Sequence, residues 1–406
     1  MRILVHEYGG YPFPVELSRE LARRGHRVTH SWCASLIDTA GSAAELAHRE
    51  DNPPALDFAP LELGRPLDKY RYVRRLRQER RYGRLAAELT DRVQPEVVLA
   101  ADVPLDAQRI LLTTCRGAGV PFVFWVQDLI GIGTRDLLSS RLSGLGRMIG
   151  GHYIRLEARL LRESSAVVPI TDDFRPFVER SGVDPARITT VENWAPISEL
   201  PARPKDNPWA RAEGLAERYV FAYTGAIGMK QDRELLLELA ASHRDREDVR
   251  VLVASGGPEL EYLRARARAL GLRNLVLRGF VPWAQVPDVM GAADVLVASI
   301  HRDAGVYSVP SKVLSYLCAA RPLLVSVPAQ NLAGRLVARE DAGLVVDPGD
   351  VGSFLGAADR LLDSPEERAR MGANARRYAE SAFAIGPIAD RFESVLRRAT
   401  SQLDAL

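Results

Sequence analysis

Tyr307-Ser-Val-Pro-Ser-Lys-Val-Leu-Ser-Tyr-Leu-Cys-Ala-Ala-Arg-Pro322 is the stretch from which the rest of the chain can be read. Ser308 is placed to cap a helix, and Pro310 falls in its first turn, where a missing N–H costs nothing. Val309, Val313, Tyr316, Leu317 and Ala320 recur at helical spacing and form an apolar stripe. Ser308, Ser311, Lys312 and Ser315 line another face, small and polar with one cation. Arg321-Pro322 ends the helix and leads into Leu323–Val327, an apolar run suited to a buried parallel strand. A helix N-terminus with free N–H groups, hydroxyls and a lysine suits a phosphate. An ordinary capped amphipathic helix would use the same residues, so the context has to decide.

Working outward, a chain of 406 residues exceeds one ordinary core and predicts two domains. Charged residues make up 26% and the net charge is only +2, which excludes a disordered polyion and a general nucleic-acid binder. Cys33, Cys115 and Cys318 lie far apart, which argues against a disulfide framework or a zinc site and for a reducing compartment. The expected location is cytoplasmic, because Arg2–His6 enters a strand with no leader before it and no apolar run of about 18 residues is present.

The first half alternates strands (Arg2–His6, Arg27–Ser31, Glu96–Ala100, Pro121–Val126, Ala166–Ile170, Ile188–Glu192) with helices, including Val15–Arg24 and a long one at Arg141–Arg162. Pro196–Pro208 holds four prolines and reads as an interdomain connection. A second strand series follows at Tyr219–Thr224, Val249–Ala254, Asn274–Arg278, Asp294–Ser299, Leu323–Val327 and Gly343–Val346. The predicted fold is α/β, with two Rossmann-like, doubly wound parallel sheets. Their bounds are 1–198, a linker at 199–216, 217–383, and a final helical segment at 384–406 expected to pack back on the first domain. Ligands of such sheets bind beyond the carboxyl ends of the strands.

The loops at those ends supply the candidates. Thr224-Gly-Ala-Ile-Gly-Met-Lys-Gln231 has glycines that let backbone N–H groups approach an anion, and Lys230 adds charge. It lacks Walker A spacing, and a tight turn would also use Gly225 and Gly228. Gly257 opens a Pro-started helix, and Phe280-Val281-Pro282 follows a strand, where Phe280 and Trp283 could flank a base or simply pack. In the first half, Gln127-Asp128 follows a strand; Asp128 could act as a base, bind a sugar hydroxyl, or cap a helix. Asp172 is most simply a helix cap. His6 and Glu7 begin a loop containing Gly9 and Gly10 that could hold an acceptor. No histidine pair has metal-ligand spacing. Arg65–Arg84 carries nine Lys/Arg against Asp68 and Glu79, interleaved with Tyr70, Tyr72 and Tyr82; this suits an anionic membrane or a phosphorylated lipid, and equally a solvated helix face.

Taken in order, these pieces resemble the retaining GT-B glycosyltransferases of family four over nearly the whole chain. The resemblance rests on Asn193 in Val-Glu-Asn-Trp-Ala, Tyr223-Thr-Gly225 with Lys230, and Gly257-Pro-Glu. It continues through Val276–Pro282 and Ala292-Ala-Asp-Val-Leu-Val297 to Val309–Pro322. Tyr11–His26 is similar to members acting in bacterial surface-polysaccharide assembly on polyprenyl-linked acceptors. The resemblance implies a nucleoside-diphosphate sugar of UDP or GDP type, no cofactor, and no metal. It implies donor contacts from Gly225, Gly228, Lys230, Gly257, Phe280, Val281, Pro282, Tyr307, Ser308, Ser311, Lys312 and Ser315. It places the acceptor near Glu7, Gly9, Gly10, Gln127 and Asp128, and assigns catalysis to Asp128, Lys230 and Lys312. Acceptors would be sugars, small molecules or lipid-linked species at the inner face of the membrane. Two departures stand out. Many relatives carry glutamates where this chain has Tyr307 and Ser315, and a histidine where it has Gln127-Asp128. A nucleotide-sugar epimerase of the same fold, or a catalytically impaired nucleotide-sugar-binding partner, are the alternative readings.

Overall fold

The apolar runs become parallel strands because most are followed by a Gly- or Pro-bearing loop and a helix that crosses back over the sheet. The computed structural model describes residues 1–36, 40–67, 71–228, 231–302 and 311–401. The first sheet holds β1 (Arg2–Glu7), β2 (Arg27–Ser31), β3 (Leu56–Phe58), β4 (Val97–Ala101), β5 (Phe122–Val126) and β6 (Ala166–Pro169). The second holds β7 (Tyr219–Thr224), β8 (Val249–Ala254), β9 (Leu275–Arg278), β10 (Val295–Ser299), β11 (Leu323–Ser326) and β12 (Gly343–Val346). Their orders are β3-β2-β1-β4-β5-β6 and β12-β11-β10-β7-β8-β9. Counted within each sheet, both run 3-2-1-4-5-6, the doubly wound order. The order reverses between β1 and β4, paired Ile3 with Val97, and between β7 and β10, paired Val295 with Phe221. Crevices open at those two points.

The chain forms two compact units, 1–193 with 385–406, and 194–384. The final helix, Ile385–Ser401, lies on the first unit. Phe392 meets Trp125 edge-on at 4.7 Å between ring centres. Arg24 donates to Asp390 at 2.6 Å and Glu393 at 3.2 Å. The proline-rich segment belongs to the second unit: Lys205 pairs with Asp294, and Asn207 Nδ2 donates to the Asp288 carbonyl at 3.0 Å. In the second unit Phe221, Leu236, Leu263, Val297 and Phe354 share one core, each burial worth about 1.5–3 kcal/mol.

Three readings are corrected. Ile188–Glu192 is not a strand. Thr189 and Val191 donate to the carbonyls of Val167 and Pro169 at 3.1 and 3.0 Å, but only Ile188 forms a bridge, because Pro169 has no N–H to return. The long helix spans Ile130–Glu163, not Arg141–Arg162, and it doubles back. A straight helix of 34 residues would be about 51 Å long, yet Glu157 accepts from the N–H groups of Ile130 and Gly131 at 2.9 and 3.1 Å. A side chain at Gly146 would strike the Leu138 carbonyl, and one at Gly150 would strike Arg135. The glycines let two antiparallel arms touch. Finally, Thr171 caps the turn at Asp172–Phe174 by accepting from the Asp173 N–H, while Asp172 accepts from the Thr190 hydroxyl at 2.5 Å.

Candidate functional site

In the second unit β7 ends at Thr224 and the chain turns through Gly225, whose φ of 96° favours glycine. The turn is held by the helix Ser311–Cys318. Lys312 and Tyr316, four residues apart, share one face of it. The Tyr316 hydroxyl receives the Thr224 N–H at 2.8 Å and donates to the Thr224 carbonyl at 3.2 Å. Lys312 Nζ donates to the Tyr223 hydroxyl and, at 3.2 Å, to the Ala226 carbonyl. It sits 3.6 Å from the centre of the Tyr223 ring. The Tyr223 hydroxyl in turn donates to the Ala226 carbonyl at 2.9 Å. Two of the three ammonium hydrogens are thus engaged by the loop, leaving one for an anion. Burial lowers the Lys312 pKa to about 7. The ammonium is therefore costly where it stands, and an incoming negative charge would relieve that cost.

The other donor-side candidates line up along the carboxyl edge. Gly228 N–H donates to Gln231 Oε1 at 2.7 Å. Ser299, ending β10, accepts from the Asp232 N–H at 3.1 Å and donates to its carbonyl at 3.2 Å. Gly257 has φ 78° at the head of the helix Pro258–Leu270. Phe280, 46% exposed, lies over Gly256, where any Cβ would collide with its ring. Val281 is half-buried and Pro282 exposed; Ser311 is exposed and Ser315 half-buried. Lys230, Tyr307 and Ser308 lie outside the described residues.

In the first unit Glu7 is buried at the end of β1. Its carboxylate accepts from the N–H groups of Gly9, Gly10 (2.6 Å) and Tyr11 (3.0 Å). Burial and the nearby Asp102 push its pKa up to about 8, against the pull of those three donors. Glu7 therefore folds the loop that carries the acceptor-side candidates Gly9 and Gly10. Gly9 has no room for a side chain, since a Cβ would meet Tyr11 and Glu7. Asp102, at the end of β4, takes φ 54°, a conformation uncommon for a non-glycine residue. Burial holds the Tyr11 hydroxyl pKa far up, with Asp102, Glu7 and Asp128 adding to it. Gln127 exchanges two amide hydrogen bonds with Asn193, at 2.6 and 3.3 Å. Sequence reading missed Asp102 and Ser299, and it named Tyr223 and Tyr316 without giving either a role in the site. The Lys312/Tyr316 spacing was the available signal for one of them; the φ of Asp102 leaves no trace in sequence. Among the described residues no group of three or more His, Cys, Asp or Glu is arranged to hold a metal.

Two family models divide this chain between them. Residues 12–194 match the Glycosyl transferase 4-like domain and 207–378 match Glycosyl transferases group 1. The chain belongs to the GT-B glycosyltransferases. It is 27% identical over 249 residues to alpha-D-kanosaminyltransferase of Streptomyces kanamyceticus, a match covering 59% of this chain and 62% of that relative. Its fold is similar to that of sucrose-phosphate synthase from Thermosynechococcus elongatus, with a TM-score of 0.75 at 14% identity, covering 99% of this chain and 100% of that one. It is also similar to Anabaena Alr3699/HepE in complex with UDP and glucose, with a TM-score of 0.72 at 14% identity over 98% and 99% of the two chains. The GT-B architecture expected from the strand-end motifs is therefore the one observed.

Proposed function

We propose that this chain transfers a sugar from a nucleoside-diphosphate sugar, of UDP or GDP type, to an acceptor hydroxyl with retention of configuration. The setting proposed is the assembly of a cell-surface polysaccharide or glycoconjugate. The observation that carries the reading is Lys312. It is a half-buried cation tethered to the glycine loop at the switch point of the second sheet, with one hydrogen to spare. In this role Lys312 and the loop N–H groups stabilise charge as it builds on the leaving diphosphate. Lys230, Tyr307 and Ser308 would join them, and Phe280 with Val281 and Pro282 would border the base. Asp128, beside the loop that Glu7 shapes, would orient the acceptor hydroxyl. The leaving phosphate would take that hydroxyl's proton during attack on the same face of the sugar.

A thermal-shift panel of UDP, GDP, ADP and dTDP tests the donor class. A nucleotide at 100 times its Kd adds about 2.7 kcal/mol, and Lys312→Ala is expected to remove that shift. Turnover then reads the reaction, with anomeric NMR of the product reporting retention and EDTA leaving the rate unchanged. Absence of any nucleotide shift overturns the donor assignment. Epimerised donor in the absence of acceptor would favour the epimerase alternative, and binding with no transfer across an acceptor panel would favour a non-catalytic partner.

A second acceptor class is favoured by the carboxyl groups around Tyr11 and by similarity to 2-deoxystreptamine glucosyltransferase of Streptomyces kanamyceticus, 26% identical over 304 residues: an amino-bearing sugar or cyclitol, held as a cation. Comparing an amino acceptor with its hydroxyl analogue separates the two.

A further inference from the structure

We propose that the first unit docks on an anionic lipid bilayer through a basin on the helix Tyr72–Val93. The basin is an open cavity of about 1020 Å³, and seven of its ten described lining residues are arginines. Arg74, Arg77, Arg81 and Arg84 recur at intervals of three and four, so they share one helical face. Among the described residues no carboxylate lines the cavity. Glu79 is engaged by Arg75 at 2.7 Å, and Arg80 reaches Asp106 at 3.2 Å on the neighbouring helix. Such a concentration of cation in one hollow calls for phosphate-bearing anions.

What selects a bilayer over a soluble polyphosphate is exposed apolar surface, in the hollow itself and on the helix tied to its wall. Among the described residues five large hydrophobic side chains are exposed, and three are Val73, Leu145 and Met148, at 67%, 54% and 65%. Val73 lines the basin itself. Leu145 and Met148 belong to the doubled-back helix near its turn. That helix is tied to the basin wall through Asp106, which accepts from Arg80 and, at 2.9 Å, from the Tyr153 hydroxyl. Tyr153 is five residues from Met148, about 8 Å along the helix. Aliphatic side chains beside arginines match the boundary between headgroups and acyl chains: the cations meet phosphates and the aliphatic groups enter the hydrocarbon. Among the described residues no helix is long and apolar enough to cross a membrane, so the contact proposed is a surface one. It is independent of the transfer reaction, because vesicle binding is read without donor or acceptor.

The test is co-sedimentation of the full chain with vesicles of phosphatidylcholine alone and of phosphatidylcholine with phosphatidylglycerol. Binding is expected only to the anionic vesicles and should weaken steeply with salt. Each arginine near such a surface is worth about fivefold in partitioning. The triple change Arg74→Glu, Arg77→Glu and Arg81→Glu should therefore lower binding about a hundredfold or more. Val73→Ser with Met148→Ser keeps every charge, should leave the melting temperature unchanged, and should lower binding several-fold. Equal binding to both vesicle types overturns the proposal, as does unchanged binding by the serine variant. Inositol hexakisphosphate provides the last arm. Tight one-to-one binding of it, with no partition to vesicles, would assign the basin to a soluble polyphosphate instead.

Discussion

After β1 the chain turns around a buried carboxylate; after β7, its counterpart in the second sheet, it turns around a lysine. Both sheets have the same strand order and put a glycine-bearing loop at the same switch point. In the first, Glu7 gathers three backbone N–H groups inward. In the second, Lys312 and Tyr316 reach from a neighbouring helix and leave a cationic hydrogen unspent. One fold thus yields a loop whose donors are already consumed by a buried carboxyl group and another whose lysine keeps a hydrogen to spare. The architecture supplies the crevices, and the side chains at the strand ends decide what enters them.

The largest expected effect breaks this contrast at its cationic end. Lys312→Ala should lower kcat/KM by about 100- to 1,000-fold, the range for losing a group aimed at developing charge. Folding should be largely spared, because the ammonium is costly where it sits. Turnover close to wild type would remove Lys312 from the phosphate site.

Breaking the carboxyl end should read out as stability. Glu7→Ala leaves three loop N–H groups without their acceptor, at about 1–3 kcal/mol for each that stays dry. A net loss of about 3 kcal/mol would lower the melting temperature of a unit this size by roughly 6–12 °C. Nucleotide-induced stabilisation of the second unit should survive, and its disappearance would show that the two loops do not act separately. A smaller change sharpens the cationic clamp: Tyr316→Phe removes two hydrogen bonds to Thr224 and should cost about 1 kcal/mol, read as weaker nucleotide binding.

The difference in what was legible follows the same lines. Strands such as β4 (Val-Val-Leu-Ala-Ala), buried throughout, announce themselves by composition, and the double winding follows from their alternation with helices. β3 did not, because its three residues become a strand only by pairing with β2. The helix Ile130–Glu163 looks continuous in its periodicity; the fold-back depends on Glu157 finding Ile130 and Gly131, a contact 26–27 residues apart. Lys312 was readable as a cation on a polar face. Its partner Tyr316 was read as part of the apolar stripe, because its ring is buried while its hydroxyl serves the loop. Glu7 was placed at the loop, but its inward turn depends on burial that a sequence does not display.

The smallest effect, and the most direct comparison of the two ends, lies in pH. Burial raises Glu7 and Glu157, both in the first unit, from 4.5 to about 8. Between those values the folded unit keeps protons that the unfolded chain has released, so its stability falls as pH rises. His6 and His30, lowered to about 4 and 3, act the other way but only below 6.5, which leaves 6.5–8 as the window where the carboxylates dominate. Lys312 behaves oppositely: the folded second unit releases its proton near 7 while the unfolded chain holds it to 10.5. The second unit therefore gains stability as pH rises through that range. From pH 7 to 8 the units should move in opposite directions. Hydrogen exchange at β1 and β4 against β7 and β10, corrected for intrinsic rates, resolves the two slopes. Glu7→Gln should roughly halve the first, Glu157 keeping the rest, and Lys312→Met should flatten the second. Parallel slopes, or slopes indifferent to both substitutions, would mean that these two titratable groups do not set the difference between the loops.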